Sequence, residues 1–277
     1  SDEIMGLFGS KKNPEDLKHD AMSMMEKNQP KAAISLFNKI LKQNESDEEV
    51  LLNKGLALNQ IKKYSDAITC FDKLIEIDPK NAQALNNRGI SMAENGNIQE
   101  ASECYDKAIE ADPRYAASYF NKGVLLDKLQ EHENALTALE KAIAVDSRKP
   151  NAMVYKGIVL GKLKRHEEAL NCFQNICKKY PNNQDAFFQK GVQLAELGRH
   201  EKAIAVFDEI LKKYKDNVNV IYAKSRSCAA LDKIPESIEL LKQAITKNPK
   251  IIRNWAKDEP IFTKLHNNDK FRSLVKL

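Results

Sequence analysis

One spacing rules this chain: small residues recur every 34 positions along almost its whole length. Gly55, Gly89, Gly123, Gly157 and Gly191 stand at that period, with Ser225 in the sixth place. Ala33, Ala67, Ala101, Ala135, Ala169 and Ala203 form a second series, ended by Ser237. A period held so strictly means one supersecondary unit copied along the chain, and it constrains the fold more than any local propensity. Such units touch only their neighbours and stack into one array, so dividing 277 residues into conventional domains does not apply.

Numbered from their first residues, the units start at Pro14, Glu48, Ala82, Ala116, Pro150, Gln184 and Val218. Each reads as two helices joined by a short turn. In the third, Leu85, Gly89 and Met92 share one helical face, Asn95-Gly96-Asn97 supplies the turn, and Ala101, Tyr105 and Ala108 share a face of the second helix. Asp112-Pro113 closes the unit, because proline cannot continue a helix interior. Asp78-Pro79, Tyr180-Pro181 and Asn248-Pro249 are read the same way. Glycine inside a helix costs about 1 kcal/mol relative to alanine, a loss that makes sense only where no side chain fits. The paired helix is therefore expected to press on the glycine backbone, with the alanines as matching small surface. Phe37, Phe71, Tyr105, Leu139, Phe173 and Phe207 are expected to fill the space between neighbouring units.

These residues resemble the signature of the tetratricopeptide repeat (TPR) family. Repeat three carries Leu85, Gly89, Met92, Ala101, Tyr105, Ala108 and Pro113; repeat five carries Met153, Gly157, Leu160, Ala169, Phe173, Ile176 and Pro181. Repeats one and seven depart from it, with Ala21 and Ser225 at the glycine position, as terminal units do. The resemblance implies an all-α fold, a right-handed superhelical solenoid of antiparallel helix pairs. Residues 1–13 read as a flexible leader, 14–251 as seven units, and 252–277 as a C-terminal capping helical segment built on Phe262, Leu265, Phe271 and Leu274.

Composition excludes several function classes. With 42% hydrophobic and 30% charged residues the chain reads as a soluble globular protein, and no apolar run reaches the roughly 20 residues of a membrane span. No signal-peptide pattern is visible. Met5-Gly6-Leu7-Phe8-Gly9-Ser10 fits an N-myristoylation pattern if translation starts at Met5, so weak membrane association is expected only if Gly6 is lipidated. Five cysteines without a Cys-x-x-Cys pair give neither a disulfide framework nor a zinc site. Cys70, Cys104 and Cys172 share one repeat position and read as small core residues, which suits a reducing, cytoplasmic location.

No phosphate loop, zinc-protease run or nucleophile elbow is present, so no enzymatic activity and no cofactor are expected. His132, His166 and His200 recur at the repeat spacing. Adjacent units should set them about 10 Å apart, whereas zinc ligands lie about 2 Å from one ion; they read as turn-packing residues. Lys54, Arg88, Lys122, Lys156, Lys190 and Lys224 form a basic series one residue wide. Their stems are expected to pack between helices while their charges reach water, so nucleic acid is not the expected partner.

The resemblance also points to a binding face. In this family the first helices line a concave groove, and positions 5, 6 and 9 of each unit face it. The groove residues are then Asn53, Asn86, Asn87, Ile90, Phe120, Asn121, Val154, Tyr155, Phe188, Gln189, Tyr222 and Arg226. Amides both donate and accept hydrogen bonds, so the position-6 row suits a peptide backbone, although asparagine there is also common in the repeat consensus. The aromatic and aliphatic residues suit apolar anchors or an amphipathic helix. Chaperone-binding members hold a carboxylate with a cationic clamp. Here the matching places are Lys18, Met22, Asn53, Gln83 and Asn87 in one frame, and Asn86, Ile90, Asn121, Asn151 and Tyr155 in the other. The clamp is missing. The expected function is a non-enzymatic scaffold holding a peptide or partner-protein segment, with no small-molecule substrate. The alternatives are a regulatory or adaptor subunit docking onto an enzyme and, further off, a nucleic-acid-binding adaptor.

Overall fold

A computed structural model describes residues 12–277; the Gly6 motif lies outside the described residues. The chain forms two compact units, Ser1–Ser147 and Arg148–Leu277. The first holds four helix pairs: α1 (Pro14–Glu26) with α2 (Pro30–Gln43), α3 (Glu48–Gln60) with α4 (Tyr64–Ile77), α5 (Ala82–Glu94) with α6 (Ile98–Ala111), and α7 (Ala116–Lys128) with α8 (His132–Val145). The second holds α9 (Pro150–Lys162) with α10 (His166–Lys179), α11 (Gln184–Glu196) with α12 (His200–Lys213), and α13 (Val218–Ala230) with α14 (Ile234–Lys247). It ends in α15 (Pro249–Asp258), a 3-10 helix over Pro260–Leu265, and α16 (Asp269–Val275). No strand occurs among the described residues. Within each unit a helix packs on its partner and on the next pair, which is the contact pattern of a repeat array.

Sequence explains where the helices start and stop. The residue before each first helix is Asn13, Asp47, Asn81, Asn183 or Asn217 in five repeats, and its side chain accepts the N–H three positions on. Tyr115 and Lys149 occupy that place in the other two and make no such cap. Replacing a capping Asn or Asp by Ala costs about 1 kcal/mol. The turn inside every repeat is tighter. Asn28, Lys62, Gly96, Gln130, Lys164, Gly198 and Asp232 all adopt positive φ, and the next N–H bonds back across the turn, as Asn97 N does to Met92 O at 2.8 Å. This is the left-handed helix stop that glycine favours, yet glycine supplies it only twice.

The paired helix presses on the glycines, as expected. A Cβ on Gly55 would lie 2.5 Å from Phe71 Cε1, one on Gly89 2.6 Å from Tyr105, and one on Gly157 2.5 Å from Phe173 Cζ. The large residue, sixteen residues on, therefore presses on the glycine of its own pair and occupies the space a side chain there would need. It also reaches neighbouring repeats, as expected: Tyr105 shares a cluster with Leu125 of the next repeat, and Phe37 with Val50. Phe37, Phe71, Phe173 and Phe207 are almost completely buried.

Asn248-Pro249 also behaves differently from the other closing prolines. Asn248 ends α14 and immediately starts α15, with Pro249 at its first turn. Proline suits that place because its missing N–H has no helical partner to lose. Beyond α15, Phe262, Leu265, Phe271 and Val275 close over Ile252 and Ala256 in one cluster, with the Phe262 and Phe271 rings 5.6 Å apart. Leu274 is only partly buried and Val275 takes the inner place. Each buried phenylalanine contributes about 1.5–3 kcal/mol.

Candidate functional site

Each first helix gives its glycine side to its partner, which leaves positions 5, 6 and 9 on another face. In the first unit this face is largely tied up in its own hydrogen bonds. Asn53 Nδ2 donates to Glu49 O at 2.9 Å and Asn87 Nδ2 to Gln83 O at 2.8 Å, each one turn back on its own helix. Asn121 Nδ2 donates to Asn86 Oδ1 at 2.9 Å and joins α7 to α5. Asn86 is 2% exposed and also hydrogen-bonds the Tyr115 phenol, whose pKa burial raises more than that bond lowers it. Ile90 packs against Met92, Tyr105 and Leu125, while Phe120 and Asn121 are half-buried.

The second unit offers a more open face. Val154, Tyr155, Phe188 and Gln189, positions 5 and 6 of consecutive repeats, are all half-buried, and the Phe188 ring lies 6.1 Å from that of Phe207. Tyr222 is different. It is 8% exposed, with its ring 5.5 Å from Trp255 and 6.0 Å from Phe262. Its hydroxyl is buried without a hydrogen-bond partner, and burial beside Glu259 raises its pKa. Arg226 Nε lies 2.9 Å from Glu259 Oε2, an ion pair outside hydrogen-bond alignment, and its Nη2 lies 3.7 Å from Glu196. The residues expected on the binding face thus divide: Val154, Tyr155, Phe188 and Gln189 stay accessible, and Tyr222 and Arg226 are held by the terminal segment. The repeat signature ends before Trp255, so no sequence signal places it against this face.

The histidines bolt neighbouring pairs together. His166 Nδ1 lies 2.8 Å from Gln193 Oε1 and His200 Nδ1 3.1 Å from Ser227 Oγ, in both cases twenty-seven residues on. His132 Nδ1 instead meets Asp127 Oδ1 of its own repeat at 2.8 Å. Among the described residues no group of three or more His, Cys, Asp or Glu is placed to hold a metal ion.

Three members of the basic series meet acids, where the expectation was that the charges reach water. Arg88 Nε meets Asp72 at 2.6 Å, Lys122 meets Asp106 at 2.5 Å and Lys224 meets Asp208 at 2.7 Å, each partner sixteen residues earlier in the preceding repeat. Half-exposed pairs of this kind add about 1 kcal/mol at most, but they fix register. Arg88 Nη1 also donates to Cys104 Sγ at 3.0 Å, and Cys172 Sγ donates to Met153 O at 3.3 Å. All five cysteines are free thiols, and burial pushes the pKa of each upward.

Comparison with known proteins agrees with this architecture. A family model described as TPR repeat matches residues 55–96, and one described as Tetratricopeptide repeat matches residues 86–152 and 156–218. YrrB, described as a TPR protein with an unusual peptide-binding site, is 25% identical; the match covers 68% of this chain and 98% of that one, with a TM-score of 0.56. A tetratricopeptide repeat protein from Parabacteroides merdae is 16% identical over 87% of this chain and 96% of its own, with a TM-score of 0.66. The Cut9–Hcn1 hetero-tetramer of the APC/C is 19% identical over 95% of this chain and 49% of its own, with a TM-score of 0.67. No curated protein matches in sequence. Among the described residues, no helix is long and apolar enough to cross a membrane.

Proposed function

The chain belongs to the tetratricopeptide repeat family, and on that premise we propose that it is a non-enzymatic scaffold that holds a segment of a partner protein. Proteins built from this repeat are typically protein–protein interaction modules, and the fold carries no evident catalytic domain. The finer reading assigns the segment to the position-5 and position-6 face of α9 and α11. One observation carries it: Val154, Tyr155, Phe188 and Gln189 stand at positions 5 and 6 of the adjacent helices α9 and α11, and each is partly exposed to solvent. Apolar anchors supply affinity while an amide pairs with backbone regardless of partner sequence. The peptide-binding site of YrrB, a relative of the same repeat class, supports the same use of the fold. In the first unit taken by itself, Phe120 and Asn121 are the half-buried residues of the equivalent face, whereas the buried Asn86 and Asn87 bond within it.

A photo-crosslinking residue at position 189 tests this in cells. It should trap one discrete partner, and the same group at position 242, on the second helix α14, should not. Replacing Phe188 by Ala should weaken that crosslink while leaving helicity intact. Adducts formed only from position 242 would move the binding surface elsewhere.

A further inference from the structure

Charge divides unevenly between the two units. Residues 148–277 carry 26 Lys and Arg against 14 Asp and Glu, net +12, whereas residues 1–147 carry 18 against 25, net −7. Part of the excess lies at one edge of the second unit. Helices α10 and α12 end in Lys178-Lys179-Tyr180 and Lys212-Lys213-Tyr214-Lys215, and Lys247 and Lys250 follow at the end of α14 and the start of α15. All seven lysines are exposed. The equivalent places in the first unit hold Lys42-Gln43-Asn44, Glu76-Ile77-Asp78, Glu110-Ala111-Asp112 and Ala144-Val145-Asp146, one lysine among the four. Helix dipoles explain lysines in a last turn, but not Lys215, which lies beyond α12, nor Lys250, which sits in the first turn of α15 where a cation is disfavoured.

Contacts along the edge show that these sites are neighbours. Lys247 Nζ lies 2.8 Å from Asp216 Oδ1, so the end of α14 sits beside the loop after α12, and the Tyr180 hydroxyl donates to Arg148 O at 2.7 Å. Two large apolar side chains protrude beside these lysines in sequence, Tyr214 at 46% and Ile251 at 44% exposed, and Trp255, 45% exposed, follows one turn further along α15 with its ring against Tyr222. Ile251 and Trp255 are four residues apart on α15 and so share a face.

We propose that this edge, with Lys212, Lys213, Lys215 and Lys250 around Tyr214 and Ile251, docks on an anionic lipid surface. Lysine is a point charge on a flexible stem, and each one near such a surface adds to the attraction. Tyr and Trp settle at the headgroup level, where an apolar ring and a polar tip are both satisfied. Neither a basic patch nor a few inserted side chains holds alone, whereas the two together do. Nucleic acid fits less well, because Arg148 is the one arginine the edge contains among its described residues, and planar guanidinium forks are what phosphate recognition favours. An acidic peptide would leave the protruding Ile251 and Trp255 without a role.

The test is co-sedimentation with vesicles of phosphatidylcholine mixed with phosphatidylserine, against phosphatidylcholine alone. The protein should bind only the mixed vesicles, and less as salt rises. Its single tryptophan is Trp255, so binding should blue-shift its emission. Lys212→Glu, Lys213→Glu and Lys215→Glu together should reduce binding by about a hundredfold. The control Lys164→Glu, Lys202→Glu and Lys233→Glu makes the same change in net charge away from this edge and should retain most of the binding. Circular dichroism confirms that both variants fold. Equal loss in both variants, binding to duplex DNA but not to vesicles, or no vesicle binding at all would overturn the proposal.

Discussion

Ser225 and Ser237 exchange hydrogen bonds across the last helix pair. Ser225 Oγ donates to Ser237 O at 2.7 Å and Ser237 Oγ donates to Ser225 O at 2.8 Å. In repeats two to six these two places hold glycine and alanine. Both serines are completely buried, so two hydroxyls have replaced close apolar contact and satisfied each other, as buried polar groups must.

Each hydroxyl bonds a backbone carbonyl, which substitution of the other serine leaves in place. Ser225→Ala and Ser237→Ala should therefore each cost about 1 kcal/mol, because each removes one hydrogen bond across the pair. The double variant should cost about the sum of the two, with little coupling in a double-mutant cycle. Urea melts of the four proteins measure it. A coupling as large as either single effect would mean that the two bonds form only together.

The glycine–ring contact sets an order among otherwise equivalent sites. Gly157→Ala places a methyl against the fully buried Phe173 ring at 2.5 Å, whereas Gly123→Ala meets the more pliable Leu139 at 2.9 Å. Overpacking costs about 1–3 kcal/mol and is offset by about 1 kcal/mol of helix propensity. Gly157→Ala should therefore destabilise clearly, and Gly123→Ala less. Adding Phe173→Leu to Gly157→Ala should recover part of the loss. Thermal melting of the three variants checks the ranking.

The repeat turns carry avoidable strain. Gln130 has φ 65° and Lys164 φ 58°, conformations that Gly96 and Gly198 take freely in sister repeats. Gln130→Gly and Lys164→Gly should each stabilise the chain by about 0.5–1 kcal/mol, and Gly198→Ala should destabilise it by a similar amount. The expected reading is a rise in melting temperature for the first two. A fall in both would show that the side chains contribute more than the backbone loses.

Periodicity made the helix pairs and glycine positions legible, because backbone crowding forces the same small residue at each copy. That the paired helix presses on Gly55 was legible, but not that Phe71 is the residue that does so, since the repeat distance does not say which way a ring sixteen residues on turns. The Arg88–Asp72 pair was in principle legible too: an acid stands sixteen residues before four of the six basic positions, but the series was read on its own. Tyr222 and Arg226 could not be placed from the repeat at all. Their partners Trp255 and Glu259 lie where the period ends, and no pattern there says how the terminal segment folds back.

His200 gives the junction between the last two repeats a pH dependence. Burial first, then Arg226, holds its imidazole below the ordinary value of 6.5, with Lys264 acting in the same direction and Glu196 against them. The unfolded chain therefore takes up the proton more readily than the folded one. Stability should be intact above about pH 6.5 and fall on acidification through the window between that value and the lowered folded one, because proton binding pulls toward the unfolded state. His200→Gln removes the titrating group while keeping a polar side chain opposite Ser227 Oγ, which His200 Nδ1 meets at 3.1 Å. The variant should lose less stability than wild type between neutral and mildly acidic buffer, measured by urea melts at each pH. An unchanged slope would assign the acid sensitivity to other groups.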